Sequence, residues 1–137
     1  MKFDWRKALF GIPAALRREA TTESYPPSPV DRSQQTLTDG GPVTEDHRSI
    51  DPASGQQKGY VVLSDAERAK GFVRPVRNSY VHLKCGVVTR MGGSLAETYA
   101  RDPSFYSGTF CVGCRAHFPV GADGEFVWDK TSEKVGT

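Results

Sequence analysis

The chain predicts a small α+β domain, an antiparallel β meander with one or two short helices, set behind a long extended or disordered N-terminal arm. Three observations carry that expectation. Apolar and aromatic residues crowd into the second half, where five of the seven Phe, four of the five Tyr and all three Cys fall within residues 59–137. The stretch 21–58 is rich in Pro, Ser, Thr, Asp and Gln and nearly empty of large apolar side chains. Two short ligand-like pairs, His82 with Cys85 and Cys111 with Cys114, bracket residues 86–110.

Those pairs are spaced H-x2-C and C-x2-C, the spacing by which two tight turns hand four nitrogen or sulfur ligands to a tetrahedral zinc ion. The expected domain is therefore zinc-ribbon-like, with Zn2+ as a structural cofactor held by His82, Cys85, Cys111 and Cys114. A module of this size buries too little apolar surface to be secure by itself, and bound metal commonly supplies the deficit. His117, three residues beyond Cys114, competes for the fourth position. An extended strand over 115–118 would carry it about 10 Å away, so His82 is preferred. Lys84 and Arg115, next to ligands, are candidates to offset thiolate charge.

The chain begins with Asp4 as a possible helix cap, followed by Trp5, Leu9, Ile12 and Leu16 on one face. Residues 1–20 read as a short amphipathic helix that gains order on a partner surface, since so short a helix is marginal alone and Gly11 and Pro13 weaken it. Lys2, Arg6 and Lys7 before an apolar run imitate a signal peptide, but Asp4, Pro13 and Arg17-Arg18-Glu19 do not fit one. Residues 21–58 read as a linker or arm that cannot form a core.

Regular structure is expected from residue 59. A strand over 59–63 precedes a capping box at Ser64 and Glu67, which opens a short helix ending before Gly71. A second box at Ser94 and Glu97 opens a helix over 95–101, stopped by Asp102-Pro103. Strands over 107–111, 115–120 and 125–129 complete a three-stranded meander, with Phe110, Phe118, Val120, Phe126 and Trp128 on its apolar face. The zinc-stabilised domain spans 59–130, and 131–137 reads as a polar tail.

Formal net charge is only +2, which by itself implies no nucleic-acid partner. The local pattern is more suggestive: Arg74, Arg77, Lys84 and Arg90 fall in a stretch free of acidic residues around the first ligand pair. They define the alternative reading, a nucleic-acid-binding regulator with Tyr80 or Tyr99 stacking on bases. An enzyme is not expected. Zinc deaminases need H-x-E ahead of their cysteine pair, and here Lys84 stands where that glutamate would be. Neither a phosphate-binding loop nor a nucleophile elbow is present, no small-molecule substrate is expected, and no segment is long and apolar enough to span a membrane.

The segments RPVRNSYVH over 74–82, LAETYARDP over 95–103, Phe105-Tyr106 and TFCVGCRAHFPV over 109–120 together resemble small proteins encoded in tailed bacteriophages and prophages. The resemblance covers roughly residues 71–137. It implies that His82, Cys85, Cys111 and Cys114 form the metal site and that the setting is phage-associated, and it brings no established activity. The expectation is a non-catalytic structural or assembly protein, made in the cytoplasm of the bacterial host. It would dock on other protein subunits of a capsid, portal or tail in the virion through its arm.

Overall fold

The computed structural model describes residues 29–137. The docking stripe of Trp5, Leu9, Ile12 and Leu16 lies outside the described residues, as does the first part of the arm. Among the described residues there are three small antiparallel sheets and two helices. In chain order the elements are β1 (Gln35–Leu37), β2 (Val61–Leu63), α1 (Asp65–Arg68), β3 (Ser79–His82), β4 (Val88–Arg90), α2 (Gly93–Arg101), β5 (Gly108–Cys111), β6 (Ala116–Pro119) and β7 (Phe126–Trp128). The sheets are β1-β2, β4-β3-β7 and β5-β6.

The expected single meander is replaced by two sheets, because β7 pairs with β3 and not with β6. The register explains the exchange. Tyr80 lies opposite Trp128 and His82 opposite Phe126, and all four are buried. Alternation puts these side chains on one face of each strand, so this pairing gathers four rings on a single side. Tyr80 meets the edge of Phe126 at 5.4 Å and of Trp128 at 6.3 Å between ring centroids, arrangements aromatic pairs favour.

Helix α2 closes the core from the other side. Ala96, Tyr99 and Ala100 recur at helical spacing and are buried, and Asp102-Pro103 ends the helix as expected. Its start differs. Gly92 is the cap residue and offers no side-chain hydrogen bond, so the box expected at Ser94 does not form. The box at Ser64 is half made: its hydroxyl accepts the Glu67 amide, while the Glu67 carboxylate turns inward to Arg101 at 3.0 Å, both side chains fully buried.

Residues 29–58 correct the expected boundary at 58. Strand β1 pairs with β2 in the register Gln35 to Leu63, so this part of the arm belongs to the folded unit. The aspartates that looked like arm composition make turns: the carboxylates of Asp31, Asp39 and Asp51 accept amides two residues on, from Ser33 at 3.0 Å, Gly41 at 2.8 Å and Ala53 at 2.9 Å. Glu67 also accepts the Asp31 amide at 3.0 Å, and Arg32 pairs with Asp102 at 2.7 Å. Backbone pairing and ion pairs thus hold a segment with almost no core of its own.

The expected polar tail is likewise part of the domain. Val135 is fully buried among Tyr80, Trp128 and Phe126 in the main cluster, and its amide donates to the Phe126 carbonyl at 3.1 Å. No helix among the described residues is long and apolar enough to cross a membrane.

Candidate metal centre

Each ligand pair sits where a strand runs into a tight turn. His82 is the last residue of β3, and the amides of Cys85 and Gly86 both return to its carbonyl, at 3.3 and 2.7 Å. Gly86 has a φ of +76°, the left-handed conformation that glycine adopts without a side-chain clash. Cys111 ends β5, and the Arg115 amide closes the second turn onto its carbonyl at 2.7 Å. The two turns pack directly on one another. A Cβ on Gly113 would stand 2.7 Å from a methyl of Val87, so the second turn needs glycine where the first presses against it.

The four side chains converge. Nδ1 of His82 and the Sγ atoms of Cys85, Cys111 and Cys114 all lie within 4.8 Å of one another. Cys85 Sγ stands 3.5 Å from Cys111 Sγ, and Cys114 Sγ stands 3.6 Å from His82 Nδ1. A disulfide needs about 2.0 Å between sulfurs, so these are free thiols. The edges of a tetrahedron of zinc ligands, with metal–sulfur bonds of about 2.3 Å, are roughly 3.5–3.8 Å. The four donors are therefore positioned to hold a metal ion, and the sequence-predicted ligands are the ones brought together.

His82 is built to present one nitrogen. Its ring is buried between Phe118 and Phe126, stacked at centroid distances of 4.5 and 4.8 Å. Nε2 donates to Glu125 Oε1 at 2.8 Å, which leaves Nδ1 with its lone pair toward the sulfurs. A carboxylate behind a histidine ligand fixes its tautomer and raises its basicity. The His82 hydrogen bond and the nearby Lys84 ammonium, 3.5 Å away, hold Glu125 below the usual carboxylate range.

The sulfurs do not ionise equally. Burial works against ionising Cys111, but the Cys114 amide, the Cys85 thiol and the Gly113 amide together bring it below the ordinary thiol value. Desolvation and then its neighbours Cys85 and Cys111 push Cys114 up to about 11. Three adjacent thiolates repel one another, and a dication is the partner that lets all three ionise.

Other expected residues fall elsewhere. His117 lies on β6 with Nε2 at 2.7 Å from the Tyr60 hydroxyl, outside the cluster. The Arg115 guanidinium reaches the Ala53 carbonyl rather than the sulfurs. Tyr80 and Tyr99 are buried, 2% and 3% exposed, so neither can stack on a base. Of the four basic residues, Arg77 pairs with Glu133 at 2.7 Å and covers Trp128, and Lys84 pairs with Glu125. Arg74 donates to the Val73 and Thr137 carbonyls, and Arg90 is exposed at the end of β4.

Glu125 is the functional residue that motif reading missed. Only the β3-β7 register, which puts Phe126 opposite His82, would have placed it. No protein-family model, curated protein or solved structure matches this chain, and the chemistry of the centre rests on its own geometry.

Proposed function

We propose that the chain is a non-catalytic zinc-binding structural protein of a larger assembly. In this reading one Zn2+ ties the β3-β4 turn to the β5-β6 turn. The observation that carries it is the pairing of four convergent protein ligands with a carboxylate already engaged by one of them. Catalytic zinc keeps three protein ligands, an open position and a base for water. Here four ligands close the tetrahedron, and Glu125, the carboxylate beside it, is held by His82 and Lys84. Three thiolates and an imidazole favour zinc over harder divalent ions.

The metal would do its work through folding. Cys111 belongs both to the ligand set and to the main apolar cluster with Tyr80, Phe126 and Trp128. Losing the ion would therefore loosen the core. Small zinc modules draw roughly 10–16 kcal/mol of apparent free energy from the metal, comparable to the whole stability of a typical domain.

The assembly we infer is a phage virion: capsid, portal or tail, engaged through the N-terminal arm. The sequence resemblance over residues 71–137 and the amphipathic spacing of Trp5, Leu9, Ile12 and Leu16 support that setting. Two experiments test the proposal. Cobalt substitution should give the absorption of a closed site with three sulfurs and one nitrogen, and a water-bearing, five-coordinate spectrum would contradict it. Mass spectrometry of purified particles should find the chain at a fixed copy number, and its absence would sink the virion setting while leaving the metal site standing.

A further inference from the structure

A cleft of about 480 Å³ opens between the segment 32–61 and the β5-β6 hairpin, away from the metal ligands. Its size suits a small ligand, for which roughly 300–1,000 Å³ is usual. Arg32, His47, Arg48, Tyr60, Phe105 and His117 line it, and no lining residue is acidic. Arg32 is already committed, paired with Asp102 and lying 5.7 Å over the Phe105 ring. Arg48 is exposed and meets no hydrogen-bond or ion-pair partner among the described residues.

One nitrogen of His117 is engaged and the other is open. The Tyr60 hydroxyl accepts the Gln57 amide at 3.1 Å and shares a 2.7 Å hydrogen bond with Nε2 of His117. When the hydroxyl donates its proton to Nε2, the neutral ring carries its own proton on Nδ1, which has no partner among the described residues. Desolvation holds the ring below its ordinary pKa, consistent with a neutral donor.

A guanidinium, an imidazole N–H and aromatic rings, with no carboxylate among them, suit a ligand that carries negative charge beside a planar group. We propose that this cleft binds a nucleotide phosphate, with Arg48 and Nδ1–H of His117 on the phosphate oxygens and the base against Phe105. A free mononucleotide and the backbone of a single strand offer the same chemistry. This site is separate from the basic stretch of Arg74, Arg77, Lys84 and Arg90, two of which are already paired.

Nuclear magnetic resonance titration of the metal-loaded full chain tests it, with inorganic phosphate, a nucleoside monophosphate and a short single-stranded oligonucleotide without terminal phosphate as probes. Shifts are expected at the amides of Gln57, Tyr60 and His117, with inorganic phosphate binding more weakly than the nucleotide. Tighter binding of the mononucleotide or of the oligonucleotide identifies which source the cleft serves. Arg48→Ala, a surface change, should weaken binding by about tenfold or more, and Arg90→Ala, outside the cleft, should leave it unchanged. Tyr60→Phe, which frees the His117 tautomer, should weaken binding with metal content intact. No shifts at the cleft with any probe, equal binding of phosphate and nucleotide, or equal loss in Arg48→Ala and Arg90→Ala would overturn the proposal.

Discussion

Glu125 Oε1 accepts a 2.8 Å hydrogen bond from Nε2 of His82, and the same ring presents Nδ1 to Cys114 Sγ at 3.6 Å. One imidazole is thus clamped between a carboxylate and the sulfur cluster. The carboxylate, 43 positions from His82 in sequence, arrives on the turn before β7, so the centre depends on sheet pairing as much as on the two ligand turns.

Removing that carboxylate should loosen the metal without dismantling the site. Glu125→Gln keeps the shape and loses the charge behind His82, and outer partners of this kind are worth about 10–100-fold in metal affinity. Competition with a chromophoric chelator measures it, and an affinity equal to that of the unmodified chain would mean that Glu125 does not support His82.

Substitution should also separate the two candidate histidines. His82→Ala or Cys111→Ala removes a ligand and is expected to abolish stoichiometric metal and the cooperative melt. His117→Ala should keep one metal per chain, because its Nε2 serves Tyr60. Elemental analysis of the three variants decides the matter, and metal lost from His117→Ala alone would reverse the assignment.

The contact between the two turns predicts a compensating pair. Gly113→Ala brings a Cβ to 2.7 Å from Val87, an overpacking expected to cost about 1–3 kcal/mol. Val87→Gly removes both that methyl and the Val87 Cβ, itself 2.9 Å from the new Cβ, and should restore more of the loss in the double variant than Val87→Ala, which keeps the Cβ. Denaturant titration of the four members of the cycle checks it, and additive effects would show that the turns do not press on each other.

Acid should weaken the join between residues 29–32 and the helices. The Asp31 amide, then Lys70 and Arg101, hold Glu67 down from its ordinary 4.5 to about 2. A lowered folded-state pKa contributes stability that is complete above the ordinary value and lost as the pH falls from about 4.5 toward 2. Glu67→Gln should melt below the unmodified chain at neutral pH, and the gap should narrow across that window. Metal release at low pH acts on both proteins, so the difference between their melting temperatures is the quantity to follow; a constant gap would contradict the linkage.

The ligand set was legible in the sequence because its information is local. His82 with Cys85 and Cys111 with Cys114 each fit within one turn, and chemistry restricts what such pairs do. Helix α2 was legible from the local stop at Asp102-Pro103, although the box read at Ser94 and Glu97 does not cap it. What could not be read was long-range. Phe126 and Trp128 alternate equally well beside β6 or β3, and only the burial of Tyr80 and His82 on the same face selects β3. Residues 29–58 looked coreless by composition because their order comes from backbone pairing, aspartate turns and the buried Glu67–Arg101 pair. Val135 was lost among polar neighbours in 131–137, although it is fully buried.

The most direct test is thermal melting of the purified, reduced full chain before and after metal removal by a strong chelator, with bound metal quantified alongside. One equivalent of zinc and a cooperative transition that disappears on chelation and returns when zinc is restored is the expected result. A chain that carries no stoichiometric metal, or that melts identically with and without chelator, would contradict a metal-held fold.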